Sequence, residues 1–215
     1  MPSLFHIPTS PFSRRVRLAL ALKGLEVELK DVRQNPAFHD EARKLYPFRT
    51  MPVMVLDDGK ALGDSSAIIR YLDAAHPSAP RVFPTGLDAL VATEEITKLV
   101  DGVLDRIIDV GTRYFGLREG DAWKTVTGES LGRAQGGLNR LGEIVSKAGW
   151  GPLTGAGWGA ADIWLYTMVA WLEGLPARAA QPNIAQILTL SYTIPAPLSR
   201  WAEAHAARSD VRALG

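Results

Sequence analysis

Three hydroxyl side chains stand at the start of a strongly helical segment near the beginning of the chain. Thr9, Ser10 and Ser13 occur in the stretch TSPFSRRVRLALALKG, residues 9–24. A helix N-terminus presents unpaired N–H groups and a partial positive charge, so a hydroxyl there either caps the helix or donates a hydrogen bond to a bound anion. The stretch therefore indicates either a simple helix cap or an anion site.

The composition limits what that anion is. The sequence has 215 residues and no cysteine, which excludes disulfides, thiolate metal sites and covalent mechanisms through a protein thiol. If the site performs sulfur chemistry, a ligand must bring the thiol. The four histidines show neither metal-ligand spacing nor a base-nucleophile arrangement, so the sequence predicts no metal cofactor.

Charge and hydropathy exclude several classes of protein. The net charge is +1 and no dense block of Lys and Arg occurs, so no long-range field attracts nucleic acid or an anionic membrane. No apolar run is long enough to span a bilayer, and the first residues lack the pattern of a signal peptide. We expect a cytoplasmic protein whose partners are small molecules, with neither nucleic acid nor membrane among them.

The order of predicted elements places the hydroxyls in an α/β domain. Apolar periodicity and turn residues predict the order βαβαββα over residues 1–77, with the hydroxyls between the first strand and the first helix. The predicted strands are 3–7, 25–32, 51–56 and 61–63, and the predicted helices are one that Gly24 ends, 36–46 and 64–76.

The chain changes character after this domain. Residues 78–86 are rich in Pro and Gly and are predicted to form a linker. From residue 87 to 215 no strand signal appears, which predicts an all-helical domain. Its helix at 162–174 has no charge between Asp162 and Glu173, so we expect it to be the buried core helix. The other predicted helices are 87–116, 121–148, 181–191 and 197–207.

Four motifs in this order resemble the cytosolic glutathione transferase family. They are SPFSRRVR (10–17) for the catalytic loop, TMPVMVL (50–56) for a turn with a cis-proline, GDSSAIIRYLD (63–73) for the acidic-Ser pair, and GAGWGAADIWL (155–165) for the buried capping segment. The resemblance spans essentially the whole chain. It implies a thioredoxin-like domain that binds glutathione, a helical domain that lines a pocket for a hydrophobic electrophile, and a homodimer.

The resemblance also implies the site residues. Ser10 is the implied catalytic hydroxyl, which keeps the bound thiol ionised, and Thr9 and Ser13 remain alternatives for that role. Lowering a thiol pKa of about 8.5 by two units needs about 2.7 kcal/mol, and a hydrogen bond to a charged group contributes about 1.5 to 3 kcal/mol. The implied glutathione-binding residues are Ser10, Met51, Pro52, Val53, Asp64 and Ser65.

The sequence departs from the family pattern at three places. Arg49 and Thr50 stand where family members often have Gly-Lys, which removes a lysine contact to the ligand. Asp64 replaces the commoner glutamate, and Gly159 replaces a capping Ser or Thr, which leaves Asp162 as half of a capping box with a structural role.

Two other functions stay open at the level of the sequence. One is a glutathione-dependent isomerase, in which the thiolate adds and leaves again, although the Ser-Cys motif of the maleylacetoacetate isomerase class is absent. The other is a transferase-like protein that binds apolar ligands without turnover, which the departures at Arg49, Thr50 and Gly159 keep open.

Overall fold

The computed structural model describes residues 1–113, 120–155 and 157–212. The chain forms two compact units. The first comprises residues 1–85 together with the C-terminal segment from Ala206, and the second comprises residues 86–205. The helical domain was expected to run to residue 215, whereas the segment from Ala206 groups with the first unit because its short helix packs on the first helix of the chain and buries Val211.

The first unit has the predicted element order βαβαββα, and the α/β thioredoxin-like fold class is confirmed. Its strands and helices are β1 (Ser3–His6), α1 (Pro11–Lys23), β2 (Glu28–Asp31), α2 (Pro36–Leu45), β3 (Val53–Val55), β4 (Ala61–Gly63) and α3 (Ser65–Ala75). The strand predicted at 25–32 is shorter than expected, because only residues from Glu28 onward have a partner in β1.

The register of the sheet brings three loops to one end. The strand order is β2-β1-β3-β4, with β1 parallel to β2 and antiparallel to β3, and β3 antiparallel to β4. Phe5 pairs with Val53, and Val53 pairs with Gly63. The loop after β1, the start of β3 and the start of α3 therefore share one end of the sheet, and the turn at residues 57–60 lies at the other end.

Helix α1 buries two charged side chains, Arg15 and Lys23, whose burial the sequence does not predict. Only 1% of Arg15 is exposed, because it lies on the buried face of α1 with Val16 and Ala19. Its guanidinium stands 4.8 Å from the centroid of the Phe12 ring. Lys23 is buried at the other end of the helix, where its Nζ lies 2.9 Å from Asp73 Oδ1.

The predicted linker is tied to α3 through Asp73. Its carboxylate accepts hydrogen bonds from Val82 N–H at 3.0 Å and Phe83 N–H at 2.8 Å, and both of these side chains are buried. Lys23 Nζ also donates to the Pro80 carbonyl at 2.9 Å. Burial alone raises the pKa of Asp73, but the two N–H groups and Lys23 outweigh it and hold the pKa below its ordinary value.

All secondary structure described in the second unit is helical, as predicted. Its main helices are α4 (Leu87–Ile108), α5 (Asp121–Ala148), α6 (Ala160–Glu173), α7 (Pro182–Ile187) and α8 (Ala196–His205), and α9 (Ser209–Arg212) belongs to the C-terminal segment of the first unit. A π-helical turn follows α4 at Asp109–Arg113, so the predicted helix ends early, and its last predicted residues, 114–116, lie outside the described residues. No helix in the described ranges combines the length and apolarity that crossing a bilayer requires.

Helix α6 is the core helix of this unit, as its uncharged sequence predicted. The fully buried Asp162 accepts hydrogen bonds from Leu153 N–H at 2.9 Å and Gly159 N–H at 3.0 Å. Burial raises the pKa of Asp162, and these N–H groups oppose that rise. Gly159 has no side chain to complete a capping box, so Asp162 supplies the capping bond alone, as expected.

Candidate functional site

The Ser10 hydroxyl lies at the N-terminus of α1. Ser10 is the N-cap residue, with extended backbone angles (φ −73°, ψ 131°), and Pro11 at the first helical position fixes the start of the helix. Ser10 Oγ accepts a long hydrogen bond from Ser13 N–H at 3.4 Å. Within the described ranges the hydroxyl donates to no group, and the residue is half-buried. It can therefore donate to an anion placed at the end of the helix.

Like Ser10, each of the two competing hydroxyls accepts one hydrogen bond, but they differ from it in burial and position. Ser13 is fully buried, and its Oγ accepts the Ile7 N–H at 3.2 Å, which ties the loop after β1 to the first turn of α1. Thr9 is exposed, and its Oγ1 accepts a hydrogen bond from Arg33 Nη1 at 3.1 Å. Neither of them is the N-cap of α1, since that position belongs to Ser10.

The start of β3 offers free backbone groups beside this loop. The Met51–Pro52 peptide bond is cis, as predicted. Pro52 and Val53 are buried, whereas Met51 is half-buried. No hydrogen bond of the described chain engages the Met51 N–H or carbonyl. These groups are available to an extended ligand backbone in the manner of an added strand.

Asp64 and Ser65 form the N-terminus of α3 at the same end of the sheet. Asp64 Oδ1 accepts hydrogen bonds from Ser66 N–H at 2.7 Å and Ala67 N–H at 3.3 Å, so Asp64 is the N-cap. Its backbone has φ 72°, a conformation that is costly for a non-glycine residue and concentrates at functional sites. The carboxylate of Asp64 is exposed, and its Oδ2 is available to a cation. The buried Ser65 lies in the first turn of α3, where helix N–H groups attract an anion.

Sequence reasoning missed one residue at this end of the sheet. Arg33 follows β2 and approaches Thr9 through space, although 24 positions separate them in the sequence. Its own N–H donates to Asp31 Oδ1 at 2.9 Å, which fixes the turn after the strand. The only available signal was the pairing of β1 and β2 as parallel neighbours, which brings the loops after both strands together.

The described residues hold no cluster of His, Cys, Asp or Glu that would bind a metal ion. The six residues predicted for the site, Ser10, Met51, Pro52, Val53, Asp64 and Ser65, all lie at the end of the sheet where β3 and α3 begin. Their contact with a ligand stays a prediction. The arrangement presents a free hydroxyl at one helix N-terminus, open backbone groups, and an acidic cap at a second helix N-terminus.

Comparison with known proteins agrees with this geometry. Residues 4–80 match a family model described as the glutathione S-transferase N-terminal domain. A glutathione S-transferase of Triticum aestivum is 39% identical over 95 residues, which is 42% of this chain and 43% of the wheat protein. A maleylacetoacetate isomerase of Rattus norvegicus is 38% identical over 89 residues, 39% of each chain. The chain thus spans less than half the length of these curated relatives.

A solved structure extends the similarity over both units. A glutathione S-transferase from Methylobacillus flagellatus, solved with GSH bound, superposes with a TM-score of 0.77 and 25% sequence identity. The alignment covers 100% of this chain and 99% of that one. Residues 4–80 therefore match the glutathione S-transferase N-terminal domain, and the whole chain is similar in fold to a glutathione S-transferase.

Proposed function

We propose that this protein is a glutathione transferase in which Ser10 keeps the thiol of bound glutathione ionised. The observation that carries the proposal is the Ser10 hydroxyl, which caps α1 and donates to no group in the described ranges. A hydrogen bond from this hydroxyl to the sulfur contributes about 1.5 to 3 kcal/mol in favour of the thiolate. The end of α1 adds about 0.3 to 1 kcal/mol, and together they lower the thiol pKa by about two units.

The remaining site residues would hold the rest of the tripeptide. The Met51 backbone pairs with the cysteinyl part, next to Pro52 and Val53. Asp64 faces the ammonium of the γ-glutamyl group, and the α3 terminus at Ser65 takes its carboxylate. The family resemblance and the family relative solved with GSH bound support this placement.

The reaction proposed is attack by the thiolate on a hydrophobic electrophile. The thiol loses its proton to solvent, the sulfur forms a bond to carbon, and a leaving group departs with the bonding electrons or the adduct takes up a proton. The family resemblance supports an electrophile surface on the helical unit, a homodimer and a cytoplasmic location, which we propose with the activity.

A titration of bound glutathione tests the role of Ser10. Ser10→Ala should raise the pKa of the bound thiol by about one to two units, measured as ultraviolet thiolate absorbance against pH at saturating glutathione. Ser10→Thr, which keeps a hydroxyl, should titrate close to the parent. The proposal fails if Thr9→Ala shows the large shift instead, or if the parent binds glutathione without forming thiolate at neutral pH, which is the behaviour of a binding protein without turnover.

A glutathione-dependent isomerase is the second candidate, favoured by the similarity to the rat maleylacetoacetate isomerase. In an isomerase the same thiolate adds to the substrate and leaves again, so glutathione is not consumed. Following free thiol during turnover separates the two activities, because a transferase depletes it in step with product.

A further inference from the structure

The guanidinium of Arg33 is placed beside the catalytic loop. Its Nη1 donates to Thr9 Oγ1 at 3.1 Å, and Thr9 directly precedes Ser10. From covalent geometry, the Arg33 guanidinium lies at most about 12 Å from the Ser10 hydroxyl. A small electrophile can therefore reach the sulfur with its reactive carbon and the guanidinium with its other end.

The Arg33 guanidinium has donors left for a ligand. The residue is exposed, and its side chain makes no other hydrogen bond or ion pair that the described ranges show. A guanidinium carries five N–H donors in a fixed fork that matches a carboxylate, so one bond to Thr9 leaves the fork available. The bond to Thr9 also limits the rotamers of the long side chain, which reduces the entropy lost on binding.

The charges around this loop favour an anion. Arg14 and Arg17 extend from α1 and Arg33 from the loop after β2, and the acidic Asp31 acts on Arg17 in the opposite sense to Arg14. The pKa of Arg17 is lowered by burial and then by Arg14, with Asp31 opposing. The pKa of His6 is lowered by burial and then by Arg17, with Asp31 again opposing. Both neighbouring groups thus lie in a locally positive environment.

We propose that Arg33 is a specificity residue that selects electrophiles bearing a carboxylate. The guanidinium binds the carboxylate by charged hydrogen bonds while the reactive carbon lies against the glutathione sulfur at Ser10. This inference rests on the proposed transferase function and names the substrate class of the same site.

Two matched electrophiles give the test, 4-chloro-3-nitrobenzoate and its uncharged amide, 4-chloro-3-nitrobenzamide. In both, the thiolate attacks the carbon bearing chlorine, a C–S bond forms, chloride leaves with the electron pair, and the thiol proton goes to solvent. The readout is the ratio of kcat/KM for the benzoate to kcat/KM for the benzamide, which cancels differences in intrinsic reactivity when variants are compared with the parent.

The expected result is a loss of discrimination. Arg33→Gln should lower the ratio at least about tenfold, the effect of losing one charged hydrogen bond. Arg33→Lys keeps the charge but not the fork and should retain part of the ratio. Lys60→Gln is the control, since it removes an exposed cation at the opposite end of the sheet and should leave the ratio unchanged within twofold. Added salt should lower the ratio in the parent more than in Arg33→Gln.

Other outcomes overturn the inference in distinguishable ways. If Arg33→Gln changes kcat/KM for both electrophiles equally, Arg33 does not select the carboxylate. If the variant instead weakens glutathione in calorimetry with an unchanged ratio, Arg33 belongs to the glutathione site. If the parent transforms neither electrophile although it binds glutathione, the proposed transferase function fails, and the specificity of Arg33 fails with it.

Discussion

Three neighbouring hydroxyls have three different tasks because their neighbours differ. Ser13 accepts a backbone N–H in the interior, Thr9 accepts from Arg33, and Ser10 accepts from the Ser13 N–H as the cap of α1. The residue types and spacing predicted the loop but could not divide these tasks. The division depends on Ile7 and Arg33, which approach through the fold and carry no local signal in the sequence.

Asp64 combines two roles that one substitution can separate. As the N-cap of α3 it accepts two N–H groups, and as a charge it is proposed to bind an ammonium. Asn caps a helix about as well as Asp and tolerates positive φ, so Asp64→Asn should keep the stability of the fold. It should weaken glutathione by about 1.5 to 3 kcal/mol, since only the charge is lost.

Asp64→Ala is the matched control, because it should lose both the affinity and about 1 kcal/mol of stability. Calorimetric titration gives the affinity and chemical denaturation the stability. Unchanged affinity in a folded Asp64→Asn variant would remove this carboxylate from the binding site.

At the scale of elements, the turn before β3 has a strained backbone at Arg49. This residue has φ 55°, and its N–H donates to the Tyr46 carbonyl at 2.9 Å. The left-handed region costs a non-glycine residue about 1 to 2 kcal/mol, while glycine loses about 0.5 to 1 kcal/mol of backbone entropy. Arg49→Gly should therefore stabilise the protein by about 0.5 to 1 kcal/mol.

The free energy of unfolding, from urea denaturation, measures this effect. The neighbouring Thr50 does not have positive φ, so Thr50→Gly should destabilise the protein instead. Equal effects at the two positions would show that the left-handed conformation of Arg49 is not the cause. Arg49, which stands where family members often have glycine, is therefore expected to lower the stability of the fold.

The order and type of the elements were predictable, because each has a strong local pattern. Helix α6 has an uncharged run, and the β3–β4 hairpin has the DDGK turn. The end of α4 at Ile108 and the short β2 were not predictable, since α4 changes to a π-helical turn and β2 extends only as far as β1 can pair with it. The burial of Lys23 was not predictable either, because its partner Asp73 lies 50 positions away in the sequence.

At the scale of the whole molecule, the Lys23–Asp73 pair makes stability depend on pH. The folded pKa of Asp73 is lowered, so its contribution is fully present above the unfolded pKa of about 3.9 and is lost as pH falls through the folded pKa. Asp73→Asn leaves the Lys23 ammonium buried without its counter-charge. At neutral pH this variant should be less stable by about 3 to 5 kcal/mol.

The difference between the parent and Asp73→Asn should shrink as the pH falls below about 4, where the unfolded parent takes up a proton before the folded parent does. Lys23→Met should lose less stability, because Asp73 keeps its bonds from Val82 and Phe83. Denaturation curves at several pH values give the free energy of unfolding of the parent and of both variants. A loss in Asp73→Asn that stays constant from neutral to acid pH would contradict the role of the charge.

The Asp73 carboxylate also reduces the number of unattached residues that connect the two units. By composition residues 78–86 form a nine-residue linker, but Asp73 accepts hydrogen bonds from Val82 and Phe83 at distances similar to its contact with Lys23. Only the residues after Phe83 and before α4 are left as a tether. The amides of Val82 and Phe83 should therefore exchange with solvent deuterium as slowly as those of α3, and proteases should cut the connection after Phe83 rather than before it.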